Sequence, residues 1–373
     1  MSEASVVHTT NWEGPTMDVA LKIWRVDGDT GDRELKTYEV EAPEWACLLD
    51  VLDIIKDRHD GTLAYRKSCR MMICGSCGMR MDGRAILACK ERMKPIVESG
   101  HVPVISSMGN LPIVKDLVVS MDPFWDKVRA IKPWLDPGYD EAPERERIVS
   151  QKEMNVIAKE SLCIMCGCCV SECNAMEADP DFRGPAALAK EMRFVGDPRD
   201  HDDVPRLNTV NDEHGIWDCT RCYFCNERCP KGVDPRDAIA KLGAESIKEG
   251  IDEDLGAKHA KWFVVSSKTT GWLRETELVP KTQGIIGALK ETKFALALAR
   301  RGKVPPPGPI HVAAEVDEAR ALYNLVKTQG RDGALGIVQG ERGLARIEHV
   351  EAEGARREAA EITPGEEPPP AEG

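Results

Sequence analysis

Twelve of the fourteen cysteines in this chain fall into three groups whose spacing suits thiolate-bound metal chemistry. The first group is Cys69, Cys74, Cys77 and Cys89, with the pattern C-x4-C-x2-C and a fourth cysteine further along. That pattern predicts a 2Fe-2S cluster of the plant type. Two bridged ferric ions need four thiolates around one rhomb, and a short loop can wrap it only if the backbone turns tightly. Gly75 and Gly78 stand beside Cys74 and Cys77, where they supply that freedom. Zinc sites favour paired C-x2-C knuckles, and this group holds only one such pair.

The other two groups share one pattern, C-x2-C-x2-C-x3-C. They are Cys163, Cys166, Cys169 and Cys173, then Cys219, Cys222, Cys225 and Cys229, with Pro230 following. This is the run of cubane-binding ferredoxins, in which the fourth cysteine of each run ligates the other cluster. The spacing therefore assigns Cys163, Cys166, Cys169 and Cys229 to one 4Fe-4S cluster. Cys173, Cys219 and Cys225 go to another, with Cys222 as its fourth ligand. If Cys222 does not bind, that third cluster is 3Fe-4S. Two cysteines are left over. Cys168 lies between two ligands and is expected to point away from iron, and Cys47 lies on an apolar helical face and reads as a small core residue.

The remaining sequence limits what such a chain can do. There is no His-Glu-x-x-His pattern, no Gly-x-Gly-x-x-Gly fingerprint and no Walker motif. His214, near the third run, reads as a solvated loop residue. The chain can relay electrons, but it shows no means of making or breaking carbon bonds and no site for flavin or nucleotide. A net charge of −13 argues against a nucleic-acid partner. No apolar run approaches the ~20 residues needed to span a bilayer. The longest candidate, residues 284–299, is interrupted by Lys290, Glu291 and Lys293. Membrane contact is therefore expected to come through a partner. No export signal is visible, and fourteen cysteines in a cytosolic chain point to metal rather than disulfides.

The elements that must position these cysteines can be read from periodicity. Residues 19–26 and 35–40 alternate as strands around a polar turn. Residues 47–56 carry apolar residues at helical spacing and stop near Asp60-Gly61. Strand, strand, helix and cysteine loop is the order of a small ferredoxin domain. Residues 150–250 are helical in pattern and hold both cubane runs. The fold class expected is α+β. Its parts are a leader (1–16), a 2Fe-2S ferredoxin domain (17–132), a connector (133–149) and a helical dicluster domain (150–254). A helical extension (255–350), with a stiff proline-rich linker at 304–309, and a disordered tail (351–373) follow.

This combination resembles the iron–sulfur subunit of the succinate dehydrogenase and fumarate reductase family. Tyr65-Arg-Lys-Ser-Cys-Arg70 and Cys74-Gly-Ser-Cys-Gly-Met79 resemble its first cluster loop. Residues 116–125 and 132–135 are similar to its inter-domain segment, residues 184–188 and 193–200 to its helical domain, and Cys229-Pro-Lys-Gly232 to its last run. The resemblance implies a β-grasp domain followed by an α-helical ferredoxin domain. It also implies an FAD-containing flavoprotein that oxidises succinate, a membrane anchor, a quinone nearby, and a peripheral place on the cytoplasmic face of the membrane. Fumarate reductase is the same assembly run in the opposite direction. Three departures stand out. Cys222 occupies a position where most of the family has no cysteine. Ala178 and Thr220 replace the Trp and His that commonly line the quinone pocket, and Asn174 replaces a Pro, so the quinone site is not carried over. Residues 261–277 and 297–303 are similar, at scattered positions, to the C-terminal part of heterodisulfide reductase C subunits. That keeps open a thiol- or heterodisulfide-linked reductase and a Cys-rich membrane-associated partner.

Overall fold

Two long strands, β1 (Thr16–Val26) and β2 (Arg33–Pro43), open the fold as an antiparallel pair in which Val19 faces Val40 and Leu21 faces Tyr38. Val19, Leu21 and Ile23 alternate inward, as a half-buried strand requires. The helix Leu48–Arg58 follows. Asp50 accepts from the Cys47 amide at its N-terminus, and Lys56 and Arg58 lie in the last turn, charges that suit the helix dipole at both ends. Three short strands, β3 (Gly78–Met81), β4 (Arg84–Leu87) and β5 (Val104–Ser106), complete a five-stranded sheet in the order β2-β1-β5-β3-β4. The β1–β5 pair is parallel and the others antiparallel. Helix and sheet enclose an aliphatic core of Leu21, Ile23, Leu48, Leu52, Ile55, Leu87 and Ile105. Each such side chain contributes about 1.5–3 kcal/mol on burial.

The computed structural model describes residues 14–138, 145–303, 311–334, 337–339 and 345–347. The leader up to residue 13, part of the connector, the proline-rich linker and the tail lie outside the described residues. Two compact units result. One takes the described residues up to Phe263 and those of 275–303, and the other takes 264–274 with the described residues from 311 onward.

A second core in the first unit surrounds the helices Pro185–Val195, Asp203–Val210 and Pro235–Lys248. The helix Asp122–Ala130 joins it through Phe124 and Val128, so the chain leaves the sheet and enters the helical core before the connector begins. In the second unit, Arg320 of the helix Val316–Ala334 donates to the carbonyls of Lys268 (3.2 Å) and Thr269 (2.9 Å). The strand pair Ile337–Gln339 and Ala345–Ile347 there was not legible from periodicity.

Candidate metal centres

The loop carrying Cys69, Cys74 and Cys77 is built from left-handed residues. Arg70 and Met72 each have φ 59°, and Gly75 has φ 71°. These turns curl the backbone around one sulfur. The amides of Met71, Ile73 and Cys74 donate to Cys69 Sγ at 3.4, 3.3 and 3.2 Å. Ser76 Oγ lies 3.1 Å from Cys74 Sγ. Slight burial raises the Cys74 thiol, but the hydrogen bonds from Ser76 and around Cys69 outweigh it and bring it down to about 6. Burial pushes Cys77 up to about 12, and the neighbouring Cys89 and Cys74 thiols add to the rise. All four predicted residues thus meet in one place. Four thiols gathered in one place, with amides aimed at Cys69 and Cys74 lowered toward the thiolate, suit a bound cation, so this donor set fits an iron cluster.

Cys229, at the end of the last run, lies with the first three cysteines of the earlier one. Cys163, Cys166, Cys169 and Cys229 line one cavity with Ile164, Met165, Ala186, Ala189 and Val233, and the charged Lys231 also lies in its wall. Burial raises Cys169 well above the ordinary thiol range, with Cys166, Cys163, Cys225 and Cys229 contributing in turn. Burial likewise pushes Cys225 to about 12, with Cys219, Cys173 and Cys222 adding to it. Cys173 and Cys219 are raised by burial first and also feel Cys222. Cys173, Cys219, Cys222 and Cys225 thus lie near enough to influence one another.

The loop conformation around Cys222 matches that around Cys166. Met165 (φ 56°) and Gly167 (φ 81°) flank Cys166 in left-handed conformation, and Arg221 (φ 57°) and Tyr223 (φ 68°) flank Cys222 in the same way. Each loop then enters a one-turn helix, Cys168–Ser171 or Phe224–Glu227. A tyrosine held at a position that favours glycine is a strained choice, and it preserves the loop shape.

The ferredoxin loop sits directly on the first cubane loop. A Cβ on Gly75 would lie 2.7 Å from Cys166 Cβ and 2.9 Å from Cys166 Cα. A Cβ on Gly78 would meet Met108 Sδ at 3.0 Å and the Cys166 carbonyl at 3.3 Å. Gly75 turns the chain as its sequence position predicts and also permits close approach, whereas Gly78 opens β3 in extended backbone and serves close approach alone. Around this contact, Arg80 of β3 donates to Ser171 Oγ (3.0 Å), Glu172 Oε1 (3.1 Å) and the Ser171 carbonyl. Asn110 Nδ2 donates to the carbonyls of Val170 and Cys173, both at 2.8 Å.

Cys168 is fully buried in the ferredoxin core, its thiol 3.8 Å from the Ile86 carbonyl. The neighbouring Cys168 thiol brings Cys166 down to about 7 against its burial. Cys47 is a core residue whose thiol lies 2.9 Å from Asp50 Oδ2. His214 is not merely solvated, because its Nδ1 pairs with Asp179 Oδ2 at 2.7 Å. Thr220 donates to Asn174 Oδ1 at 2.7 Å, so two of the residues that depart from the usual quinone pocket bond each other.

Sequence reasoning missed a buried charge group behind the second core. Arg206 donates to Asp200 and to the carbonyls of Ile131, Lys132 and Trp134, pinning the start of the connector. Glu191 lies 3.9 Å from Arg206, and neither of its carboxylate oxygens has a hydrogen-bond partner. Burial pushes its carboxyl up to about 8, and Arg206 offsets this only in part.

Two family models match within residues 20–233. A 2Fe-2S iron–sulfur cluster binding domain matches residues 20–126, and a 4Fe-4S dicluster domain matches residues 160–233. The 8-methylmenaquinol:fumarate reductase iron–sulfur subunit of Wolinella succinogenes is 34% identical over 287 residues, covering 76% of this chain and 89% of its own. The chain belongs to the family of succinate dehydrogenase and fumarate reductase iron–sulfur subunits. The fumarate reductase iron–sulfur subunit of Haemophilus influenzae is 38% identical, covering 65% of this chain and 98% of its own. Among solved structures, the Mycobacterium smegmatis Sdh1 complex in the apo form aligns with a TM-score of 0.59 and 27% identity, over 64% of this chain and 99% of that one. The chain is thus an oxidoreductase subunit with 2Fe-2S and 4Fe-4S clusters, an N-terminal ferredoxin domain and a helical dicluster region. Among the described residues, no helix is long and apolar enough to cross a membrane.

Proposed function

We propose that this chain relays electrons between an FAD-containing subunit acting on succinate and a quinone on the membrane side of the complex, at the cytoplasmic face. In this reading Cys69, Cys74, Cys77 and Cys89 hold the 2Fe-2S cluster. Cys163, Cys166, Cys169 and Cys229 hold a 4Fe-4S cluster, and Cys173, Cys219, Cys222 and Cys225 hold the third, also 4Fe-4S. When bound, these clusters supply one-electron redox chemistry at potentials that the protein tunes.

What the chain's own residues do follows from their packing. The Met71, Ile73 and Cys74 amides stabilise negative charge on Cys69. Gly75 lets the ferredoxin loop touch the first cubane loop without an intervening side chain. Cys229 and Cys173 cross between the two helical runs, so the second and third sites share one scaffold. The contact of Gly75 with Cys166 is the single observation that carries the relay, because it brings two otherwise separate domains together at their cysteine loops.

The relation to the W. succinogenes subunit favours a second reading, in which electrons run from a low-potential quinol toward fumarate. Cys222 supports it. A fourth thiolate adds negative charge, disfavours the reduced state and lowers the potential relative to a 3Fe-4S centre. The test is Cys222→Ser in the anaerobically purified complex. The proposal expects a new, intense 3Fe-4S EPR signal and a raised potential for that centre. No change in the third cluster would remove Cys222 from its ligands.

A further inference from the structure

We propose that residues 285–303 form an amphipathic segment that lies in the surface of an anionic lipid bilayer, giving this subunit its own membrane contact. The chain carries a net charge of −13, yet this stretch is basic. Lys290, Lys293, Arg300, Arg301 and Lys303 face a single acid, Glu291. Most of its large apolar residues are in the open, with Leu298 half-buried. Ile285 is 78% exposed, Ile286 74%, Leu289 68% and Phe294 63%. Large aliphatic and aromatic side chains left bare to this degree on consecutive helical turns need a covering.

Helical geometry separates the basic pair from the Phe294 face, although Leu296, 51% exposed, lies on the basic side. Gly284, at φ 73°, breaks the helix Glu275–Lys290, so Ile285 starts a fresh turn with Leu289 one turn on. In the helix Thr292–Arg300, Phe294 and Leu298 lie one turn apart on one face, and Lys293 and Arg300 lie two turns apart on another. At 3.6 residues per turn the two faces are about 130° apart. An apolar face of Phe, Leu and Ile with Lys and Arg alongside, on a segment too polar to span, is the signature of an interfacial helix. Its basic charge complements anionic headgroups, and its long side chains can reach them while the apolar face enters the acyl boundary. The core of a protein–protein interface is instead depleted of charge.

The same three charged residues that rule out a spanning helix, Lys290, Glu291 and Lys293, are compatible with this placement. The proposal departs from the expectation that membrane contact comes only through a partner. It does not rest on the electron-relay reading, since no cluster ligand lies in the segment.

The test uses the full chain with its clusters, floated with vesicles of equal parts phosphatidylglycerol and phosphatidylcholine, and with pure phosphatidylcholine. Binding to the anionic vesicles is expected, with loss at high salt. Each basic residue removed should weaken it about fivefold, so Lys293→Gln/Arg300→Gln should cost about 25-fold. Phe294→Glu/Leu298→Glu should abolish flotation. Both double variants should keep the visible spectrum of the clusters, because these side chains touch no core. Absence of vesicle binding, or binding that survives both variants, overturns the proposal. So does concentration-dependent self-association, or loss of a partner subunit from the purified complex, that depends on Phe294 while vesicle binding does not. Either would mark the face as a protein contact.

Discussion

Replacing Gly75 with Ala should separate the first two cluster loops, and the structure sets the size of the effect. The new Cβ would stand 2.7 Å from Cys166 Cβ, 2.9 Å from Cys166 Cα and 3.3 Å from the Ile164 carbonyl. Ordinary carbon contacts are about 3.5–4.0 Å, so the loops must part by about 1 Å. Left-handed backbone costs a non-glycine residue about 1–2 kcal/mol. Overpacking against Cys166, much of it backbone, adds about 1–3 kcal/mol. The expected loss is therefore about 2–5 kcal/mol. Gly83 provides the control. It has φ 77° with nothing within 4 Å of its Cβ position, so Gly83→Ala should cost only the backbone term, about 1–2 kcal/mol. Anaerobic guanidinium unfolding of the cluster-loaded chain measures both. Rapid freeze-quench EPR measures electron arrival at the centre beyond the 2Fe-2S site, which should slow in Gly75→Ala and not in Gly83→Ala. Equal stability losses with equal transfer rates in the two variants would refute the reasoning.

Three further outcomes follow from the same contacts. Arg80→Ala should weaken the docking of sheet on helices by about 2 kcal/mol, because charge-assisted bonds to Ser171 and Glu172 are lost, and denaturation followed separately at the two kinds of cluster should become less cooperative. Cys168→Ala removes the thiol that favours negative charge on the Cys166 sulfur. It should lower the potential of that cubane in an EPR redox titration, whereas Cys47→Ala should leave all potentials in place. Glu191 has a folded-state pKa of about 8 against an ordinary 4.5, so the folded chain holds the extra proton between those values. Its contribution is full below 4.5 and is lost as pH rises through 8. Arg206, Asp200, Arg183 and Asp202 are the charges around it. Glu191→Gln should therefore flatten the fall in melting temperature from pH 6 to pH 9, and an unchanged slope would assign that fall elsewhere.

Much of the fold was legible because it is written in short-range patterns. Alternation at Val19, Leu21 and Ile23 marked β1, and helical spacing at Leu48, Leu52 and Ile55 marked the helix after it. The cysteine sets were legible because cluster geometry fixes spacing, and the crossing of Cys173 and Cys229 follows from that spacing. Contacts between distant residues left no such trace. Nothing local marks Arg80 as the link to Ser171, or Arg206 as the clamp on the connector. Gly75 was visible as a turn residue, but its approach to Cys166 depends on a docking that no single segment encodes. The basic segment at 285–303 was seen only as an interrupted apolar run, because a spanning criterion scores its lysines as defects.

The central claim is that three thiolate groups hold one 2Fe-2S and two 4Fe-4S clusters in a single relay. Mössbauer spectroscopy of the anaerobically purified, iron-57-enriched chain, read alongside EPR of the oxidised sample, tests it most directly. Quadrupole doublets of one ferric 2Fe-2S pair and of two cubanes are expected, with no 3Fe-4S signal at stoichiometric intensity. A 3Fe-4S signal near one spin per chain would contradict the assignment of Cys222, and zinc in place of iron with no acid-labile sulfide would contradict the relay altogether.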